Sequence, residues 1–587
     1  MPDNPEANDA AATREANRKN IRATWLISVL TMISRIFGYA RFILVIHLFA
    51  NMRWVSDALI FAFRIPSLFR NLLGEGALSA AFLPVFVRTR EKDGPVSASA
   101  LASQIATFLA AVGGVITVLG AAIFLALAHF WRGEGRELTL AFTLTAVFMG
   151  FMPLTCMAAL LGGMLQGLRR FTLPACLSII MNLGFLCGFA YVFWWQCNGD
   201  IKQLQPESVY SIALFVLAAG VLEVLIQIPV LLSEGIIVRP TLSASHPGVK
   251  VVAKAFVPTA VALGLVQINA FIDSLIAGSL SLASQGAITY LEVGFRFMQL
   301  PLGVFGIAIA TATFPEFSSA AAARDDRKFI NHMVQAVRMS AFFLLPASAI
   351  LIAMADPIVR LTCQRPDLAF SHAAVYRSSL VLALYSAGLF FYSIRQVLVR
   401  AYYARGEYSF PVKVSVAMVF LNLTLNLILI HCPDPIRPFL AGSLERFNIS
   451  ADAFPNGLAL NEAGLALATC LTAIIDSCIL WRGIRVRLKS TLDGEAGKKS
   501  AAAMWKTIGS MASISAALGV MTWLFRNSIP YDPGFISLST RTIVPCILAA
   551  GLFYIIATVL PLPELNEFFF SLFRKRAKAA KQPSAEK

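Results

Sequence analysis

Apolar residues in this chain come in long blocks rather than in alternation. Each block runs for roughly twenty residues or more, enough for a helix to cross a hydrocarbon core about 30 Å thick. Backbone polar groups in lipid need partners inside a helix or a closed barrel. The blocks are too long and too uniformly apolar for barrel strands of about ten alternating residues. The pattern therefore predicts an all-α, polytopic membrane protein with about 14 transmembrane helices. Six spans are expected at 24–49, 55–86, 97–131, 138–168, 171–195 and 210–232. A polar connector with Arg239, Pro240, His246 and Pro247 separates them from six more at 251–280, 287–318, 329–354, 373–400, 411–430 and 458–481. Two further spans follow, at 503–525 and 542–560.

The same breaks set the domain plan. A tail occupies 1–23, an N-lobe 24–235, a linker 236–250 and a C-lobe 251–482. A basic linker at 483–502, a terminal helix pair within 503–562 and a basic tail at 563–587 complete it. Alternate connections are rich in Lys and Arg, as expected if they face the cytoplasm. Arg18, Lys19 and Arg22 precede the first span; Arg88, Arg90 and Lys92 follow the second; Arg169 and Arg170 follow the fourth. Arg324, Arg327 and Lys328 follow the eighth, and Arg482, Arg485, Arg487 and Lys489 the twelfth. An even number of spans with this bias places both termini in the cytoplasm.

The second span reads FRIPSLFRNLLGEGALSAAFLPVF from Phe63, and the eighth FRFMQLPLGVFGIAIATATFPEF from Phe295. Six spans apart, the two copies point the same way, which predicts two six-helix lobes in parallel repeat plus the C-terminal pair. Such lobes enclose a site near the midplane and rock against one another.

Composition sharpens the picture in one respect. The net charge of +16 would suggest nucleic acid in a soluble chain, but only 14% of residues are charged and the basic ones sit in loops and tails. They point instead to anionic lipid at the membrane surface, with no nucleic-acid partner.

Charge inside the spans is more informative, because each buried Arg or Asp costs about 2.5–3.5 kcal/mol on insertion. The first two spans carry Arg35, Arg41, Asp57, Arg64, Arg70 and Glu75. At about 100° per residue, Asp57, Arg64, Asn71 and Glu75 share a stripe while Arg70 lies off it. Glu292 and Arg296 stand at i and i+4 in the eighth span and can neutralise each other. The excess of arginine suits a phosphate-bearing ligand, while mutually satisfied structural pairs and snorkelling side chains are the plainer alternative.

A weaker set, Asp273, Asn422, Asn426 and Thr469, offers oxygen ligands that suit either a sodium ion or hydrogen bonds between helices. Glu223 and Asp476 look isolated. No Walker loop, nucleophile elbow or zinc motif occurs, so neither an enzyme nor an ATP-driven pump is expected, and no cofactor is implied. Cys197, Cys363 and Cys432 fall in or beside outer loops and could in principle pair.

The stretch SRIFGYAR, Ser34 to Arg41, followed by SDALIFAFRIPSLFRNLLGEGALSAAFLPVF, Ser56 to Phe86, resembles the MurJ (MviN) family of lipid II flippases. That family belongs to the superfamily that includes multidrug antiporters and oligosaccharide-lipid flippases. The resemblance implies that Arg35, Arg41, Asp57, Arg70, Glu75 and Arg296 line a cationic cavity for the pyrophosphate and headgroup of lipid II. It implies an apolar groove for the polyprenyl tail on the last two helices, and an inner-membrane protein serving cell wall synthesis. Cell-wall synthesis proteins are then possible partners, and sodium or the membrane potential the possible driving force. The sequence departs from the family where Phe42 follows Arg41, Phe295 precedes Arg296 and Asn426 replaces a carboxylate. The alternatives are a flippase for another polyprenyl-pyrophosphate glycan, a cation-coupled drug antiporter and a non-transporting scaffold.

Overall fold

The computed structural model describes residues 30, 32–49, 51–69, 79–131, 135–168, 170–200, 203–241, 243, 245–284, 286–363, 372–430, 460–492, 494–529 and 534–559. Among them the regular elements are helices. Residues 32–48 form α1. Then come α2 (Arg53–Phe69), α3 (Ser79–Phe130), α4 (Arg136–Met149), α5 (Phe151–Gly167), α6 (Thr172–Tyr191), α7 (Ser208–Leu225), α8 (Ile228–Ser233) and α9 (Pro247–Ser284). The second half runs α10 (Ala287–Pro301), α11 (Ile307–Ala322), α12 (Asp326–Ala353), α13 (Ala355–Cys363), α14 (His372–Ala387), α15 (Leu389–Ala404) and α16 (Ser409–Ile430). It ends with α17 (Glu462–Arg487), α18 (Lys489–Leu492), α19 (Glu495–Ser528) and α20 (Phe535–Val559).

Ten of these helices, some of them joined, are long and apolar enough to cross a membrane, or eleven if α14 and α15, bent by 41°, form one span. Of the other three expected spans, those at 24–49 and 55–86 run into residues outside the described set, and that at 251–280 lies within α9, which contributes Phe271–Leu280 as a shorter apolar helix. Large apolar side chains are exposed on the spans, as at Val118 and Leu119 of α3, Leu214 of α7 and Ile547 of α20. A helix surface that is apolar on its exposed side is suited to lipid rather than water.

The chain divides into two compact units, Met1–Thr289 and Tyr290–Lys587. In the first, Phe49, Phe148, Phe151 and Phe185 anchor one core. Gly184 and Gly188 let α6 lie on α7 so closely that an added Cβ would sit 3.0 Å from Phe215 O or Ile212 Cα. Small residues allow such approach where van der Waals contact, not the exclusion of water, drives helix pairing. The long α3 breaks at Gly94, whose φ of 83° suits a residue without a Cβ.

The connector after α8 is held on α3 by a ladder. Backbone N–H groups of Ile237, Arg239 and Thr241 donate to the hydroxyls of Ser99, Ser103 and Thr107 at 3.0–3.1 Å. The periods match: four helical residues rise about 6 Å, and two extended residues advance about 6.6 Å.

In the second unit the core lies between α11, α12, α15 and α17, with Phe317, Phe329 and Tyr402 fully buried. Asp325 caps α12 by accepting from Lys328 N at 2.9 Å, which holds its carboxyl below the usual carboxylate range. α19 lies along α12, joined by Arg338 Nε to Thr507 Oγ1 at 3.1 Å and Ser500 Oγ to Asn331 Oδ1 at 3.1 Å. Cys197 and Cys363 are free thiols, and Cys432 lies outside the described residues.

Candidate functional site

In the first unit, α1 carries Arg35 and Arg41. Asn182 is buried on α6 and donates to Ser34 O at 3.2 Å and to its own helix at Ser178 O, 2.9 Å. That bond ties α1 to α6 beside Arg35, whose side chain is exposed. Six residues on, the Arg41 guanidinium lies 4.6 Å from the Phe185 ring centre and 5.4 Å from that of Phe63. Phe63 in turn meets Phe185, Phe148 and Phe151 at 5.0–5.7 Å. An arginine over such rings gains about 0.5–2 kcal/mol while keeping its full charge in apolar surroundings.

Asp57 on α2 is 4% exposed. Its carboxylate accepts from Gly286 N at 2.8 Å, Thr289 N at 2.9 Å and Thr289 Oγ1 at 2.6 Å. These donors open α10, so Asp57 caps a helix 230 residues downstream, where the positive end of the helix dipole favours an anion. A cavity of about 300 Å³ opens beside it, between Trp54, Phe61, Trp131, Glu137 and Phe142. Arg64 lies half-buried on the same helix, whereas Arg70 and Glu75 lie outside the described residues.

In the second unit, Arg296 pairs with Glu292 at 2.8 Å, one turn back on α10. Between them Gly294 presses on α14: an added Cβ would sit 2.7 Å from Val381 Cγ1 and 2.9 Å from Leu382 N. Two further pairs carry a signal the sequence reading missed. Arg377 on α14 grips Glu462 at the start of α17 through both Nε and Nη2, and both residues are buried. Its guanidinium also lies 5.0 Å from the Tyr290 ring centre. Arg395 on α15 pairs with Asp476 on α17 and also donates to Ser415 Oγ. Asp476 is thus not isolated, contrary to the sequence expectation. Its partner lies 81 residues away, beyond the reach of helical periodicity.

The oxygen-bearing set divides. Asp273 is on α9 of the first unit; Asn422, Asn426 and Thr469 are in the second. Asn426 Nδ2 donates to Asn422 Oδ1 at 3.1 Å, and Asn422 Nδ2 to Thr472 Oγ1 at 3.4 Å. Thr469 Oγ1 donates to Leu465 O at 2.9 Å within α17. Among the described residues no cluster of three or more His, Cys, Asp or Glu is placed to hold a metal ion.

The sequence profile of the family described as lipid II flippase MurJ matches residues 47–437. A lipid II flippase MurJ of Burkholderia cenocepacia is 26% identical over 474 residues, covering 79% of this chain and 84% of that protein. A probable lipid II flippase MurJ of Vibrio cholerae is 28% identical over 484 residues, 80% of this chain and 84% of that one. Among solved structures, one described as lipid II flippase MurJ in an inward closed conformation superposes with a TM-score of 0.66 at 22% identity, covering 90% of this chain and 98% of that one. A multidrug resistance MATE family transporter in an inward-facing conformation gives 0.60 at 13% identity, over 80% and 99% of the two chains.

Proposed function

The chain belongs to the MurJ family of lipid II flippases, and on that premise we propose that it carries lipid II from the inner to the outer leaflet of the bacterial cytoplasmic membrane by alternating access. Both termini face the cytoplasm, and the chain makes and breaks no covalent bond. Its work serves cell wall synthesis, whose enzymes would take up the delivered lipid.

One observation supports the role of the cationic side chains above the rest. Arg41 is held at span depth against the faces of Phe63 and Phe185, where a guanidinium stays charged and suits a pyrophosphate oxygen. Arg35 and Arg296 are the other proposed contacts to the anion, with Arg70 and Glu75 carried over from the family pattern. Asp57 serves the switch: its grip on the start of α10 holds one state and is released in the other.

The membrane potential is the proposed driving force, since an inside-negative potential assists outward passage of an anion by about 2.3 kcal/mol per charge per 100 mV. Sodium is the second proposal; of its candidate oxygen ligands, Asn422 Oδ1 already accepts from Asn426 Nδ2 at 3.1 Å.

Depletion of the protein in its host tests the function. Lipid II should become inaccessible from outside, wild-type chain should restore access, and Arg41→Ala should not, although it still reaches the membrane. Unchanged accessibility on depletion, with no second flippase present, would assign the chain to another polyprenyl-pyrophosphate glycan. Normal flipping by Arg41→Ala would remove that residue from the mechanism.

A further inference from the structure

The cavity beside Asp57 has a chemistry that carriage of an anionic lipid does not call for. Four aromatic side chains line it: Trp54 and Phe61 from α2, Trp131 just past the end of α3, and Phe142 from α4. The Trp131 and Phe142 rings lie 6.2 Å apart, centre to centre, and stand at 61° to one another rather than stacked. Besides the indoles, the polar side chains in the lining are Asp57, Glu137 and Ser279, with no lysine or arginine among them. Arg53 and Arg136 adjoin Trp54 and Glu137 in the chain, yet neither lines the cavity. Ser279 spends its hydroxyl proton on Ile276 O at 2.7 Å and so has only lone pairs left to offer.

The lining comes from one end of each helix. Trp54 and Asp57 begin α2, Glu137 and Leu138 begin α4, and Ile288 begins α10, while Gly278 and Ser279 lie in the last two turns of α9. On the topology read from loop charge, these ends and the end of α3 all belong to the outer face. The volume of about 300 Å³ is that of a small-molecule site. Two carboxylates in apolar surroundings disfavour an anion, and so few oxygens replace the hydration shell of a metal ion poorly. A cation with apolar substituents meets both needs, because aromatic faces carry the negative side of the ring quadrupole.

We propose that this cavity binds an organic ammonium ion arriving from the outer side. Trp54, Trp131 and Phe142 surround the cationic head, and the Glu137 carboxylate is its counter-charge. Asp57 stays on its donors at the start of α10 and adds negative field without moving. The site depends on the cavity alone and not on which lipid the chain carries.

Equilibrium binding of radiolabelled benzyltrimethylammonium to the full chain in lipid nanodiscs tests it, with neopentylbenzene, its uncharged isostere, as competitor. Wild type should bind the ammonium saturably, and unlabelled ammonium should displace it at least tenfold better than neopentylbenzene does. Trp131→Ala should weaken binding about tenfold, the loss of one desolvated cation–π contact, and Trp131→Phe should recover part of it. Glu137→Gln should weaken it by a similar factor. No saturable binding above empty nanodiscs would overturn the proposal. Equal competition by neopentylbenzene would overturn it too, leaving an apolar slot indifferent to charge. So would undiminished binding by both Trp131→Ala and Glu137→Gln, which would put the ammonium elsewhere. Should Trp131→Ala not fold, Glu137→Gln decides, since it keeps the shape of the side chain. Lipid II accessibility and ammonium binding share no readout, so either proposal can fail alone.

Discussion

Three buried carboxylates, one in the first unit and two in the second, are held in different ways. Glu462 and Asp476, in the second, are each met by an arginine on a neighbouring helix of the same unit. Asp57, in the first, is held by two backbone N–H groups and a threonine hydroxyl at the start of a helix. The difference is one of what is left behind on separation. Pulling an arginine from a buried carboxylate strands two charges in low dielectric, so such a pair suits a contact that never opens. Letting go of a helix N-terminus leaves neutral N–H groups and a single carboxylate, which water in a cavity can satisfy, so a cap suits a contact that opens and closes.

The sharpest way to break this comparison is to remove one partner of the buried pair. Arg377→Ala should cost about 3–5 kcal/mol, because Glu462 remains buried and uncompensated. Unfolding in detergent should show it, with restoration by the double change Arg377→Leu, Glu462→Leu. A single variant as stable as wild type would mean the pair is not buried in the membrane. Next, Gly294→Ala should lower stability and transport together, because its Cβ would overlap Val381 and the Leu382 backbone. Asp57→Ala should cost only about 0.5–2 kcal/mol, the worth of a helix cap, yet shift the balance of states read by cysteine cross-linking or accessibility. Asp57→Asn, which caps about as well, should shift it less. A cost as large as that of Arg377→Ala would erase the distinction between cap and clamp. The smallest effect is expected at the α3 ladder, where Ser103→Ala removes an acceptor for Arg239 N and should cost about 1 kcal/mol.

Legibility in the sequence followed the range of the interaction. Glu292 and Arg296 were readable as a pair, because four residues of helix bring them together whatever surrounds them. Arg377 and Glu462 were not, being 85 residues apart on helices whose facing cannot be had from periodicity when a span is apolar all round. Asp57 stood out as a charge at span depth. Its role as a cap for a helix more than two hundred residues later had no local signature. The hydroxyls at Ser99, Ser103 and Thr107 show a spacing of four, but only the extended connector beside them gives that spacing a use.

The sequence by itself determined the solvent and the secondary structure of this protein. Lipid offers no hydrogen bonds, so blocks of about twenty apolar residues must become helices, and the bias of basic loops must orient them. It also marked the arginines of α1 as expensive residues that need a reason. Only the tertiary structure decided which carboxylates pair with an arginine and which one accepts from the start of a helix, and that Arg41 lies against phenyl rings. Those outcomes depend on which faces of apolar helices meet, and helix contacts in lipid are set by small residues and close packing, which hydrophobic pattern does not encode.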